Sequence, residues 1–323
     1  MKRVLILGFE NTVATTFTGP LDVFHQAGSL FNRLMGGKED PYFDVKLVSL
    51  DGKPFETRTG MRVIPHLGTE EAKQADLVVI SSLASLRSER YSGAVDWIKG
   101  HAERGADIAS VCTGAFLLAA TGLLDGKTAT THWAFADDFR KLFPSVNLRP
   151  ERIITDEGQL FCSAGFTAGM DLSLYLVEKY CGLKVALESA KAMVYDFNRA
   201  SQSPYSVFRS LKNHNDTAIL RIQAWIENHY SEKLYYPELS EQFGLTKRTL
   251  ERRFHAATGV TPLQYIRKIR VEASKRLLEE SKKSFEEITL EVGYGDGGFF
   301  RKVFVEETGL KPMAYRQRFR RKL

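Results

Sequence analysis

The last third of this 323-residue chain contains an internal repeat that leaves few folds open to that segment. Glycine, aromatic and proline residues recur at matched positions, and from Leu250 onward the two copies are offset by 50 residues. The copies are Gly244, Leu250, Phe254, Gly259, Pro262 and Tyr265, and then Gly293, Phe300, Phe304, Gly309, Pro312 and Tyr315. Each copy predicts a short helix, a turn at its first glycine and a second helix, which is the order of a helix-turn-helix unit.

The earlier part of the chain shows a different pattern, in which short apolar runs alternate with amphipathic stretches. The apolar runs stand at residues 4–7, 44–48, 77–80 and 108–111. Helices are expected directly after Gly19-Pro20 and over about 95–103, 113–122 and 168–180, with a hairpin turn at 156–158. Because continuous apolar runs are typical of parallel strands covered on both faces, residues 1–195 are predicted to form an α/β, flavodoxin-like parallel-sheet sandwich.

A change of composition separates the two parts. Residues 196–216 are rich in serine, asparagine and charge without sustained periodicity, which is typical of a linker. Every strong pattern after them is helical, so residues 217–323 are predicted to form an all-α domain with two helix-turn-helix units. The helices are expected near 218–230, 237–243, 247–257, 262–279, 285–292 and 298–307.

Charge is distributed unevenly between these parts. The chain has 45 Lys and Arg against 39 Asp and Glu, a net charge of +6. Residues 216–323 hold 21 of these cations and 15 of the anions, whereas residues 1–215 hold 24 of each, so the whole excess lies in the last third. No apolar run approaches the roughly 18 residues of a membrane span. With three scattered cysteines and no signal peptide, we expect a cytoplasmic protein without disulfides, metal or cofactor.

Cations stand on the predicted outer face of both second helices, where they would meet a phosphate backbone and base edges. Double-stranded DNA is therefore the expected partner. The residues expected to contact it are Lys247, Arg248, Thr249, Arg252 and Arg253 in the first unit, and Asp296, Gly297, Gly298, Arg301 and Lys302 in the second. A merely solvated cationic face and a non-specific DNA-packaging protein are the alternatives. Matched turns and anchors in both copies favour DNA recognition.

Residues 292–319 resemble the C-terminal signature of AraC/XylS transcription regulators, and residues 237–270 resemble the first helix-turn-helix unit of the same module. The resemblance implies that a long helix, here about 262–279, joins two units that enter successive major grooves on one face of the duplex. Gly297 and Gly298 depart from the family, in which Pro or Ser often stands at this point.

Cys112 follows the apolar run 108–111 and precedes a predicted helix, which is the position of a nucleophile at a strand-to-helix elbow. A helix N-terminus there is expected to lower the pKa of the thiol. His132, twenty residues on, is a candidate base or pocket wall. Buried filler is the alternative for a lone cysteine, and a structural role is the alternative for a lone histidine.

Residues 1–195 resemble the PfpI-like, class I glutamine amidotransferase-like superfamily, on residues 19–24, 110–133 and 163–178. Together with the AraC-type module, the chain resembles the GlxA-like subfamily of regulators. Enzymes of the superfamily place an Asp or Glu where this chain has Thr16, and glycines where it has Ser81 and Ser82. Losing the carboxylate and altering the oxyanion loop favours a binding pocket over an active site.

The sequence therefore predicts a ligand-responsive, dimeric transcription regulator. The expected ligand-binding residues are Thr16, Ser81, Ser82, Cys112, Thr113 and His132. A pocket at a helix N-terminus favours an anionic or carboxylate-bearing metabolite, and the resemblance points to an amino acid or a quaternary amine. The alternative is a cysteine-dependent hydrolase or hydratase with a DNA-binding appendage, in which Cys112 and His132 are catalytic.

Overall fold

The computed structural model describes residues 1–86, 91–196, 199–209, 211–232 and 236–320. The chain divides into two compact units, residues 1–202 and 203–323. Within the described ranges, no helix is both long enough and apolar enough to cross a bilayer.

The first unit is built of alternating strands and helices. Its strands are β1 (Lys2–Leu7), β2 (Phe43–Ser49), β3 (Phe55–Glu56), β4 (Arg62–Val63), β5 (Leu67–Gly68), β6 (Leu77–Ile80), β7 (Asp107–Val111), β8 (Thr128–Ala129), β9 (Asn147–Leu148), β10 (Ile154–Asp156) and β11 (Leu160–Ser163). Its helices are α1 (Thr15–Gln26), α2 (Leu30–Leu34), α3 (Ser92–Glu103), α4 (Gly114–Ala120), α5 (Ala136–Leu142), α6 (Ala168–Cys181) and α7 (Leu183–Ala192).

A seven-stranded sheet with the order β10-β11-β7-β6-β1-β2-β5 forms the centre of this unit. All neighbouring strands in it are parallel except the β10–β11 hairpin. The chain crosses to opposite sides of β1 when it forms β2 and β6, so the carboxyl ends of β1 and β6 flank a topological switch point. The predicted parallel-sheet sandwich and its hairpin are confirmed.

Both faces of the sheet are covered because successive strand residues point to opposite sides. In β1, Leu5 and Leu7 pack in one core with residues of α3, α4 and α5. Val4 and Ile6 pack in the other core with residues of α1, α6 and α7. The near-continuous apolar runs of the sequence follow from this double burial.

Helix α1 corrects one expectation. It begins at Thr15 and contains Pro20, whereas the sequence predicts a helix directly after Gly19-Pro20. Thr16, Phe17 and Pro20 are buried, so packing against the core outweighs the roughly 3 kcal/mol that proline costs inside a helix.

The described part of the second unit is helical, which confirms the all-α prediction. Its helices are α8 (Thr217–His229), α9 (Tyr236–Gln242), α10 (Lys247–Thr258), α11 (Pro262–Glu280), α12 (Phe285–Glu291), α13 (Gly297–Thr308) and α14 (Pro312–Phe319). Residues of α11 enter two separate cores, one with α8 to α10 and one with α12 to α14. The repeat glycines Gly244 and Gly293 adopt φ of 64° and 85°, the left-handed backbone that a turn between two helices requires.

The connection between the units differs from a free linker over 196–216. Gln202 is 3% exposed within the first unit, and its N–H donates to the Glu151 carbonyl at 2.9 Å. In the second unit, the Lys275 ammonium donates to the Ser206 carbonyl. Residues 197, 198 and 210 of the expected linker lie outside the described residues.

Candidate DNA-binding face and the Cys112 elbow

Helix α10 has an apolar inner face and a cationic outer face. Leu250 and Phe254 are fully buried, in a core that also contains Tyr265. Lys247, Arg248 and Arg252 are exposed on the other side of the helix. The Thr246 hydroxyl caps the helix by accepting a hydrogen bond from the Thr249 N–H at 3.2 Å, and this places Lys247 and Arg248 in the first turn.

Arg253 has a different role from its neighbours on α10. Its Nη2 and Nε lie 2.6 and 3.0 Å from the two carboxylate oxygens of Asp216, the residue that caps α8. These hydrogen bonds hold the pKa of Asp216 below its ordinary value. The guanidinium thus ties α10 to α8.

Three cations of the two outer faces differ from Arg253. Among the described residues, no ion-pair partner is found for Arg248, Arg252 or Lys302.

Helix α13 repeats this arrangement with different first-turn chemistry. Phe300 and Phe304 are fully buried, and Arg301 and Lys302 are exposed. The Asp296 carboxylate caps the helix, accepting hydrogen bonds from the N–H groups of Gly298 at 2.7 Å and Phe299 at 3.1 Å. Asp296, which the sequence placed among the DNA contacts, is therefore engaged with its own helix.

Equivalent tyrosine–carboxylate hydrogen bonds occur in both repeats of the second unit, joining α11 to α8 and α14 to α11. The Tyr265 hydroxyl donates to Glu227 at 2.7 Å, and the Tyr315 hydroxyl donates to Glu279 at 2.6 Å. Lys268 on α11 also pairs with a carboxylate of α13, at 3.0 Å from Glu307. Helix α13 is thereby tied to the long helix α11.

The backbone of the first unit makes a tight turn at Cys112, between β7 and α4. Cys112 has a φ of 59°, a left-handed conformation that is rare outside glycine. Two residues on, a Cβ added to Gly114 would lie 2.6 Å from the Ile80 carbonyl oxygen, so only glycine lets α4 start this close to β6. The predicted strand-to-helix elbow is present.

The environment of the thiol corrects the expectation of a lowered pKa. Cys112 is 3% exposed, and burial raises the pKa of its thiol above the ordinary value. Hydrogen bonds from the Thr113 and Phe166 backbone oppose this effect without overcoming it. Desolvation penalises the thiolate more than the start of the seven-residue helix α4 stabilises it.

A network of buried hydroxyl groups lies where β6 ends. The Ser82 hydroxyl is 3.0 Å from the Thr16 hydroxyl and 3.1 Å from that of Thr12, and the Ser81 hydroxyl lies 3.3 Å from Thr12. Thr12, which the sequence analysis missed, joins the predicted residues Thr16, Ser81 and Ser82 in one cluster. Its position seven residues before Gly19-Pro20 gave no signal.

The backbone N–H groups after β6 are occupied by side-chain hydroxyls. The Ser82 N–H donates to the Thr16 hydroxyl at 3.1 Å, and the Leu83 N–H donates to the Thr113 hydroxyl at 2.8 Å. An oxyanion site needs such donors directed at the reacting oxygen. Here Thr16 and Thr113 accept these hydrogen bonds instead.

His132 lies beside the elbow. Its Nδ1 accepts a hydrogen bond from the Ala134 N–H at 3.1 Å, and the adjacent Thr131 hydroxyl donates to the Cys112 carbonyl at 2.8 Å. The imidazole packs closely on Gly165, where a Cβ would lie 1.9 Å from the ring, and its centroid is 5.8 Å from that of Phe166. Since Phe166 also hydrogen-bonds the thiol, His132 and Cys112 border the same turn.

Gln202 binds the loop that carries His132 and was not singled out by the sequence. Its amide nitrogen donates to the Thr131 carbonyl at 2.7 Å, and its amide oxygen accepts from the Trp133 N–H at 3.1 Å. Because it lies in a polar segment without periodicity, no sequence pattern marks its burial.

The chain thus combines an α/β domain that has a cysteine elbow with a double helix-turn-helix domain. The sequence profile of the DJ-1/PfpI family matches residues 2–179, and a profile described as a helix-turn-helix domain matches residues 239–318. The chain belongs to the DJ-1/PfpI family and carries an AraC-type helix-turn-helix domain.

Individual relatives match different shares of the chain. The HTH-type transcriptional regulator GbdR of Pseudomonas aeruginosa is 27% identical over 271 residues, covering 84% of this chain and 74% of that protein. The isonitrile hydratase of Pseudomonas putida is 33% identical over 216 residues, covering 64% of this chain and 86% of the enzyme. The crystal structure of an AraC family transcriptional regulator from Pseudomonas putida matches 60% of this chain over its whole length, with a TM-score of 0.52 and 21% identity. The resemblances drawn from the sequence are confirmed.

Proposed function

We propose that this protein is a sequence-specific DNA-binding transcription regulator whose second unit places α10 and α13 in successive major grooves. The observation that carries the proposal is the matched pair of helices, each with a buried aromatic anchor and an exposed cationic face, packed on the common helix α11. The relatives named as HTH-type regulators support it. The proposed contacts are Lys247, Arg248, Thr249, Arg252, Gly297, Gly298, Arg301 and Lys302.

Arg252 and Arg253 provide a matched test, because they are neighbours on α10 with different surroundings. Arg252→Ala is expected to weaken binding to a duplex and to reduce the slope of log K against log salt by about 1, since a phosphate contact releases a counterion. Arg253→Ala removes the ion pair with Asp216 and is expected to lower the stability of the second unit with a smaller effect on the slope.

Fluorescence anisotropy over a salt series and urea unfolding separate these two effects. Lys302→Ala is expected to behave like Arg252→Ala, because Lys302 stands on the outer face of α13. If Arg252→Ala and Lys302→Ala bind as tightly as the parent at every salt concentration, the assignment of both recognition helices is wrong.

For the first unit we propose a sensing role without catalysis. Three features support it: Thr16 replaces the acidic partner, the N–H groups of Ser82 and Leu83 are already bonded, and burial raises the pKa of Cys112. The proposed site for a small metabolite is bordered by Thr16, Ser81, Ser82, Cys112, Thr113 and His132. An amino acid or quaternary amine as effector and a homodimer formed through this unit belong to the same proposal.

The isonitrile hydratase among the relatives favours one alternative, a cysteine-dependent hydratase. Purified protein incubated with isocyanides, amides and glyoxals is expected to show no turnover above the Cys112→Ala variant. Product release that disappears in Cys112→Ala would establish the enzyme and overturn the proposed sensing role.

A further inference from the structure

Phe299 is an exposed aromatic side chain in the first turn of α13. It is 57% exposed, whereas the next residue, Phe300, is fully buried. The two preceding positions, Gly297 and Gly298, have no side chains, so Phe299 is the first side chain to project from the start of this helix. Arg301 and Lys302 follow on the outer face.

The internal repeat shows what Phe299 replaces. At the 50-residue offset, Phe299 corresponds to Thr249, and the two glycines correspond to Lys247 and Arg248. The first turn of α10 therefore carries two cations and a hydroxyl, whereas the first turn of α13 carries only an apolar ring. The two helices differ in the base chemistry that they are equipped to contact.

The ring of Phe299 is supported from one side. Its centroid lies 6.0 Å from that of Tyr294, which itself stacks on Phe300 at 4.4 Å and lies under the Arg270 guanidinium at 4.9 Å. Tyr294 is thus held on both sides, and it limits the motion of the exposed ring. Binding would cost less side-chain entropy than for an unsupported residue.

We propose that Phe299 determines part of the operator sequence by contacting the C5-methyl group of a thymine in the major groove entered by α13. Residues at the N-terminal end of a recognition helix contact base edges. The thymine methyl is the apolar group that a base pair presents in the major groove, and an aromatic ring offers no strong hydrogen bond to the other edges. This inference rests on the proposed function.

The test begins with duplexes selected from a random library on the full-length protein. Each thymine in the protected region is then replaced by uracil, which lacks only the methyl group. For the parent, at least one replacement in the segment contacted by α13 is expected to weaken binding about fourfold, the factor equivalent to about 0.8 kcal/mol for one buried methyl group.

Phe299→Ala is expected to bind thymine and uracil duplexes equally at that position, and Phe299→Leu to retain part of the difference. Leu290→Ala is the control, because it truncates another exposed apolar residue of the same helix-turn-helix unit (67% exposed). It is expected to keep the parent's ratio of affinity for the thymine duplex to affinity for the uracil duplex. Thermal unfolding checks that the variants are folded, which we expect for substitutions at exposed positions.

The outcomes separate this inference from the proposed function. If no duplex is selected, the proposed function fails and the inference fails with it. If duplexes are selected but no thymine methyl matters to the parent, or Phe299→Ala keeps the parent's ratio, only the role of Phe299 is overturned.

Discussion

Cys112 shows how its surroundings determine the chemistry of one residue. The backbone places it at a strained elbow suited to a nucleophile, yet the thiol is buried and its pKa is raised. The sequence predicted the elbow from an apolar run followed by a helix. The predicted lowering of the pKa was wrong, because the desolvation that raises it depends on how completely the folded chain buries the thiol, which no local sequence pattern shows.

We expect Cys112 to react slowly with iodoacetamide at pH 7.5, because the buried thiol remains protonated there. Cys181 is only partly buried and serves as an internal control, although burial also raises its pKa. Mass spectrometry of the alkylated protein is expected to show Cys181 modified first. The rate of modification at Cys112 should rise as the pH increases through 9, the ordinary pKa of a cysteine thiol, and beyond it. Faster modification of Cys112 than of Cys181 at pH 7.5 would contradict the raised pKa.

Helix ends were the least predictable elements. Helix α14 was not predicted as a separate helix, although Pro312 at its first position is a favourable start. Asp296 was predicted only as a DNA contact, and its role as the cap of α13 was not predicted. A sequence pattern locates the helix in both cases, but whether a polar residue caps it or faces a ligand depends on the φ and ψ of the preceding turn.

Asp296→Ala is expected to destabilise the second unit by about 1 kcal/mol, the usual cost of losing an N-cap. Asp296→Asn keeps an oxygen that accepts the hydrogen bonds of Gly298 and Phe299, and it serves as the matched control. Urea unfolding of the full chain measures both variants. Equal stability of Asp296→Ala and the parent would show that the cap contributes nothing.

At the scale of the whole molecule, the division of the chain was visible in periodicity and charge. The alternating strands and helices, the elbow and both helix-turn-helix units followed from local patterns. The hydrogen bonds that tie Gln202 to the Thr131–Trp133 loop did not, because a lone glutamine in a polar segment carries no periodic signal. The position of Thr12 in the hydroxyl cluster was not predictable either, because Thr12 comes close to Ser82 only when the sheet has folded.

The central claim is that one chain makes two successive major-groove contacts. Hydroxyl-radical footprinting of the full-length protein on a selected duplex measures this directly. We expect two protected segments about 10 base pairs apart on one face of the DNA. Arg252→Ala should weaken protection mainly in one segment and Lys302→Ala mainly in the other. A single protected segment, or uniform protection without defined edges, would contradict the account.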